Sequence, residues 1–308
     1  QRHRINKKII WVDRNNYYTF TPMLHEVASG AVQPRHCAIP IRQVIYKSKH
    51  DFWQADVEKI DPVKKIVHTS EGTIAYQYCI TALGSIPNYY NIPGAEKYSY
   101  NVRTLTAAMR LHREFIRLLE DKDDHKEIHL LVVGAGATGV EVATQFGDFA
   151  RRDIKKLYPE KKIFIHLVQG GGNILPFLPV RMQNIALKRL KKYEVDVRLD
   201  RYIAKVLPDG VEFRDGTKMK CTMTIWTAGF DFLAPKYLPD QCIEKNQIFV
   251  NTYLQSKKYK TLYAVGDIAC VEQRVCQAPL PKLGELAHKQ GRYVAQHITR
   301  TLLGRKKM

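Results

Sequence analysis

Gly134, Gly136 and Gly139 punctuate the run Leu131-Val-Val-Gly134-Ala-Gly136-Ala-Thr-Gly139-Val-Glu141, and their GxGxxG spacing has chemical consequences. The first glycine permits a tight turn, the second lets the backbone approach a pyrophosphate, and the third lets a helix pack closely on the preceding strand. A helix starting there offers free N–H groups and the positive end of its dipole to phosphate oxygens. The chemistry is dinucleotide binding; the bland alternative is a structural turn without a ligand. The side chain that selects the nucleotide belongs at the end of the next strand. That strand ends at Gln169, ahead of Gly170-Gly-Gly172. A neutral glutamine can hydrogen-bond a ribose hydroxyl without repelling a 2′-phosphate, so NADH and NADPH both stay open.

A second signal lies in Thr261-Leu-Tyr-Ala-Val-Gly266-Asp267-Ile-Ala269. A strand here delivers Gly266 and Asp267 to a turn, where the carboxylate could accept hydrogen bonds from a polyol and the glycine could admit a phosphate. Asp267 alone is equally consistent with a helix N-cap.

Placing these residues requires alternating strands and helices. Ile9 to Asp13 is a short apolar run ending in an acid, and Trp53 to Ala75 breaks into β-prone pieces around the Glu71-Gly72 turn. Leu105 to Leu119 repeats apolar residues at helical spacing, and the charged stretch Glu120 to Lys126 marks a boundary. Beyond it the pattern predicts a strand at 127–133, a helix at 140–150, a strand at 163–169, a helix at 182–193 and a strand at 222–229. Alternation of this kind means a parallel α/β architecture. The last segment, Leu283 to Leu303, predicts a helix.

Composition sets the outer limits. Hydrophobic content of 45% and charged content of 26% over 308 residues suit a soluble chain of two domains. No apolar run reaches the roughly 18 residues of a membrane span, and nothing at the start reads as a signal peptide. The six cysteines include no CxxC pair, which argues against a zinc site and a dithiol centre; Cys270 and Cys276 are the nearest pair. A reducing cytoplasm is the expected compartment. The formal charge of +19 draws the surface toward an anionic membrane or a polyanion, or is a solvated surface only. No RNA-binding strand or recognition-helix motif supports nucleic acid as a partner.

Together these pieces resemble the pyridine-nucleotide–disulfide-reductase superfamily of two-dinucleotide flavoproteins. More closely, the chain resembles the type II NADH dehydrogenases, single-subunit NADH:quinone reductases. The resemblance runs from Val12-Asp13-Arg14-Asn15 and Phe20-Thr-Pro-Met-Leu-His-Glu-Val-Ala-Ser-Gly30 through Pro40-Ile-Arg42 and Tyr76 to Ser85. It continues through the glycine turn, Trp226-Thr-Ala-Gly229 and Tyr263 to Ala269. It implies two Rossmann-like domains, with an NAD(P)H-binding domain at 107–240 inserted into an FAD-binding domain made of 1–106 and 241–308. Asp13 would then take the adenosine ribose of FAD, while Gly84, Gly266 and Asp267 would take its remaining polar groups. Gly134, Gly136, Thr138, Gly139 and Gln169 would hold NADH, with Gly229 near the nicotinamide. Glu141 matches the family's acid beside nicotinamide and flavin, although a solvated first-turn helix acid is its plainer reading. Electrons would pass to a quinone at the inner face of the cell membrane, and a homodimer stays open.

Departures qualify that expectation. The FAD glycine loop expected before Ile9 is missing from a chain that starts at Gln1, and the family's C-terminal membrane segment is missing after Met308. Leu83 stands where the family's ATG turn has threonine. Glu285 and Lys289, spaced i and i+4, replace glutamines that border the quinone in the family, and would form a helix-surface ion pair instead. A soluble flavoprotein reductase with another acceptor, or a nucleotide-binding redox module without turnover, are the alternatives.

Overall fold

The computed structural model describes residues 7–121, 126–271 and 280–305. Residues 1–6, 122–125, 272–279 (Cys276 among them) and 306–308 lie outside them. The chain divides into two compact units: one holds residues 1–18, 39–86 and 231–308, the other 19–38 and 87–230.

The second unit is built on a five-stranded, all-parallel sheet. Its strand order is Ser99–Tyr100, Met223–Trp226, Glu127–Val133, Lys162–Val168, Val195–Arg198. Glu127–Val133 reads Glu-Ile-His-Leu-Leu-Val-Val, and its last four residues are all buried, as a strand covered on both faces requires. Ile128, Leu130, Leu131 and Val132 are fully shielded from solvent.

Helix Leu105–Glu120 buries Leu105, Ala108, Leu111, Phe115, Leu118 and Leu119 on one stripe, and the Thr104 hydroxyl accepts the Ala107 N–H at 3.1 Å as its N-cap. Phe115 meets Phe146 of helix Ala137–Phe149 edge-on, with ring centres 5.0 Å apart. That second helix begins three residues before the sequence periodicity suggests, because Gly136 is its N-cap and Gly139 lies inside its first turn.

The first unit is assembled from short pieces. Ile10–Asp13 pairs in parallel with Asp51–Gln54, and Cys79–Thr81 with Leu262–Ala264. Val57–Asp61, Ile66–Thr69 and Gly72–Ala75 form an antiparallel meander whose last hairpin turns before Gly72. Leu262, Tyr263, Ala264, Ile248, Val250, Ile268 and Val294 form its core, the last contributed by helix Gly284–Leu302.

The unit boundaries differ from the expected 107 and 240 for packing reasons. Ser99–Tyr100 is an edge strand of the five-stranded sheet, so the second unit starts before the helix that follows. Ala234 and Leu238 are buried in the core of the first unit, which therefore resumes at Asp231. Residues 19–38 join the second unit because helix Leu24–Ser29 packs on helices 105–120 and 137–149.

Candidate functional site

In the second unit the glycine turn is made by backbone packed on backbone. Gly134 has φ +100°, which an L side chain rarely adopts, and a Cβ there would sit 2.8 Å from the Cα of Ala228. A Cβ on Gly139 would overlap the carbonyl oxygen of Gly134. The Thr227 hydroxyl locks the turn by donating to the carbonyls of Val133 and Gly134 at 2.8 and 2.9 Å. The Gly134 N–H reaches the Val168 carbonyl at 2.8 Å, joining the turn to the neighbouring strand.

Gly136 differs from these two: nothing lies within 4 Å of where its Cβ would be. No side chain caps the helix that starts there, and Ala137 and Thr138 form its first turn. Open space beside an uncapped 13-residue helix N-terminus fits a pyrophosphate.

Gln169 lies just past its strand, as expected, but its amide oxygen accepts the Ala135 N–H at 2.9 Å. The side chain thus supports the glycine turn and has only its amide nitrogen left for a ribose. Gly229 has φ +71°, and the Tyr90 hydroxyl occupies the space a Cβ would need.

Glu141 stands on the 137–149 helix with His25 of the 24–29 helix beside it, His25 Nδ1 lying 3.8 Å from Glu141 Oε2. His25 Nε2 is 3.9 Å from Glu26 Oε1 on its other side. Desolvation pushes the Glu141 carboxyl above its ordinary value, although the side chain keeps 51% of its exposure. Burial pushes the His25 imidazole below its ordinary value, with Glu26 and a backbone hydrogen bond opposing. A carboxyl held toward its neutral form beside an imidazole held toward its neutral form is a pair between which a proton can be shared. His25 carries no local signal of this role, because it meets Glu141 only through helix packing.

In the first unit the polar groups converge on Asp267. Ser85 Oγ donates to Asp267 Oδ2 at 2.6 Å, and Gln290 Oε1 accepts the Gly266 N–H at 2.7 Å. Lys282 Nζ donates to the carbonyls of Asp267 and Ala269 at 3.0 and 3.2 Å, and Gln247 Nε2 donates to the same two at 2.6 and 3.2 Å. Burial lowers the affinity of Lys282 for its proton, with Asp267 pulling the other way. Gly84, next to Ser85, has φ +65° and open space around it. Asp267 is the middle residue of the 3-10 turn Gly266–Ile268 and caps no α-helix, so its carboxylate remains directed by Ser85.

Asp13 closes the 10–13 strand, and its Oδ1 accepts the Asn15 N–H at 2.9 Å, leaving Oδ2 for a sugar hydroxyl. A carboxylate at a strand end and an open glycine turn beside a held carboxylate fit the ribose and ribityl portions of a flavin nucleotide. Glu285 and Lys289 form the expected ion pair at 2.7 Å, both largely exposed. Among the described residues no cluster could hold a metal ion, and all five cysteines are free thiols.

The chain is similar to several known proteins. The chain is 26% identical to the type II NADH:quinone oxidoreductase of Staphylococcus aureus, over 96% of its own length and 76% of that protein. It is 26% identical to a mitochondrial external alternative NAD(P)H-ubiquinone oxidoreductase B1 of Solanum tuberosum, over 90% of this chain and 54% of that one. The chain thus spans about half the length of several curated relatives it matches. Its fold superposes on NDH2 from Plasmodium falciparum in complex with NADH with a TM-score of 0.77 at 24% identity, covering 86% of this chain and 60% of that one. The sulfide:quinone oxidoreductase of Aquifex aeolicus shares the fold at a TM-score of 0.81 and 19% identity, covering 96% and 71%. The family model for pyridine nucleotide-disulphide oxidoreductases matches residues 1–291, and the chain belongs to that family.

Proposed function

We propose that the protein oxidises NADH as an FAD-dependent reductase and delivers the electrons to a quinone. The observation that carries this reading is the turn at 134–139: space open only at Gly136, beside an uncapped helix N-terminus, is what a dinucleotide pyrophosphate needs. The likeness to the Staphylococcus aureus enzyme over nearly the whole chain supports the same activity.

In this reading Gly134, Gly136, Thr138 and Gly139 bind the nicotinamide nucleotide, Gln169 meets its ribose, and Gly229 lies near the nicotinamide. Asp13, Gly84, Gly266 and Asp267 hold FAD. Bound FAD would accept hydride from the nicotinamide and release the electrons onward. Glu141 orients the reacting rings, and His25 at 3.8 Å serves as the group with which it exchanges a proton. NADH is the expected donor, with NADPH admitted because Gln169 carries no charge. A peripheral position at the cytoplasmic face of the cell membrane belongs to the same reading, and the +19 charge supports attraction to anionic lipid. Among the described residues no helix is long and apolar enough to cross a membrane.

The Glu285–Lys289 ion pair favours a second reading, in which the acceptor is polar and not a quinone. One anaerobic absorbance titration tests both, adding NADH and then a soluble quinone to the protein reconstituted with FAD. A flavin band that bleaches with NADH and recovers with quinone supports the first reading. Bleaching that only a polar acceptor reverses selects the second, and a band that NADH never bleaches rejects both.

A further inference from the structure

Where strands 127–133 and 223–226 begin, at the opposite end from the glycine turn, the second unit has a cleft of about 530 Å³, within the range of small-ligand sites. It is lined by strand 99–100, the first residues of strands 223–226 and 127–133, the segments 208–209 and 220–222, and helix 105–120. Its charge is lopsided. Lys97, Arg110, Arg117 and Lys220 face only Glu114 and Asp209. Arg117 is committed to Glu114 at 2.7 Å. Among the described residues Lys97, Arg110 and Lys220 make no ion pair; the first two lie over the rings of Tyr98 and Tyr100.

His129 also lines the cleft, and it ends a hydrogen-bonded chain running across three strands. His129 Nδ1 is 3.1 Å from His166 Nε2, and His166 Nδ1 is 2.9 Å from Asp196 Oδ2. Arg198 Nε donates to the same carboxylate oxygen at 2.8 Å. The order of these bonds fixes the tautomers. Asp196 can only accept, so His166 carries its proton on Nδ1 and presents a lone pair on Nε2, which His129 Nδ1–H must fill. His129 therefore keeps Nε2 as a proton-accepting atom with no protein partner among the described residues. Burial lowers the proton affinity of His166, which keeps the middle of the chain neutral. Burial alone would raise Asp196, but the hydrogen bonds from His166 and Arg198 outweigh it and hold the carboxylate ionised.

We propose that this cleft is a second anion site, taking a small phosphate-bearing molecule between Arg110, Lys97 and Lys220, with uptake of a proton at His129 Nε2. A guanidinium and two ammonium groups suit phosphate oxygens, and Asp196 at the far end of the chain stabilises the imidazolium that binding creates. Glu114, paired with Arg117, and Asp209 are the groups that oppose a dianion and limit the site to compact ligands.

Titration calorimetry with inorganic pyrophosphate tests the site. The glycine turn could also attract this probe, so Gly136→Val and the double variant Arg110→Ala, Lys220→Ala are measured beside the parent protein. The proposal expects affinity to survive Gly136→Val, to fall at least tenfold in the double variant, and to rise as the pH is lowered. It also expects the His129 Nε2 signal in nitrogen-15 NMR to move toward the protonated position on adding pyrophosphate, a readout that needs no variant. Binding that follows Gly136 and ignores Arg110 and Lys220, or no binding, overturns the proposal. So does binding without movement of the His129 signal.

Discussion

Two turns, one in each unit, follow a buried strand and present a glycine, yet they are held by different means. The turn at 134–139 is backbone against backbone, with Gly134 pressed on Ala228 and Gly139 on the carbonyl of Gly134. The turn at 266–268 is held by side chains: Gln290 on the Gly266 N–H, Ser85 on the Asp267 carboxylate, Lys282 and Gln247 on the carbonyls. The first fails when atoms are added, and the second when polar atoms are removed.

The largest effect should come from Gly139→Val. Its side chain would displace the Gly134 carbonyl, so urea unfolding should report a loss of about 3 kcal/mol or more, in the range of severe core strain. Gly136→Val sharpens the contrast within the same turn. With open space at that position, its melting temperature should stay near the parent value, while NADH affinity measured by fluorescence should drop about a hundredfold, worth about 2.7 kcal/mol. A Gly136→Val protein that binds NADH normally removes the pyrophosphate from this turn.

The side-chain turn should break with Gln290→Leu, which leaves the Gly266 N–H without its acceptor. The expected cost is about 1–3 kcal/mol of stability, with weaker retention of FAD on gel filtration. An unchanged FAD content would mean that this turn does not touch the flavin.

His25 gives a pH-dependent prediction. Burial depresses its folded-state value below the ordinary 6.5, so folding disfavours the protonated ring. Its contribution is intact above about 6.5 and is lost as pH falls toward the depressed folded value. His25→Gln should flatten the stability profile in that window, measured by denaturant midpoints across pH. Glu141 has the opposite sign: its raised value means that stability declines as pH climbs through that value from the ordinary 4.5. The smallest effect belongs to Lys289→Met, which removes an exposed i,i+4 pair and should lower the denaturation midpoint only slightly, and less in high salt.

How much of this the sequence disclosed follows from the same comparison. Glycine spacing and an unbroken apolar run are local signals, so the 127–133 strand, the turn and the helix after it were legible. The ion pair of Glu285 and Lys289 was legible for the same reason, since helical spacing alone brings them together. His25 beside Glu141 and Ser85 beside Asp267 were not, because each pair is separated by more than a hundred positions and joined only by tertiary packing. The edge strand at 99–100 was missed because two residues carry no periodicity. The membership of 19–38 in the second unit was missed because it depends on which helices bury the 24–29 helix.

Gln169 has a consequence for the history open to this protein. Its amide oxygen holds the Ala135 N–H, so the residue that would choose between the two nicotinamide nucleotides also braces the loop that receives them. A glutamate there would keep the brace and add charge against a 2′-phosphate. An arginine or lysine, the usual route toward NADPH, would bring five or three donors and no acceptor, and would unfasten the loop. If Gln169 meets the ribose as proposed, lineages starting from this chain could favour NADH more strongly by one substitution, whereas the opposite path would require a second change to restore the brace first.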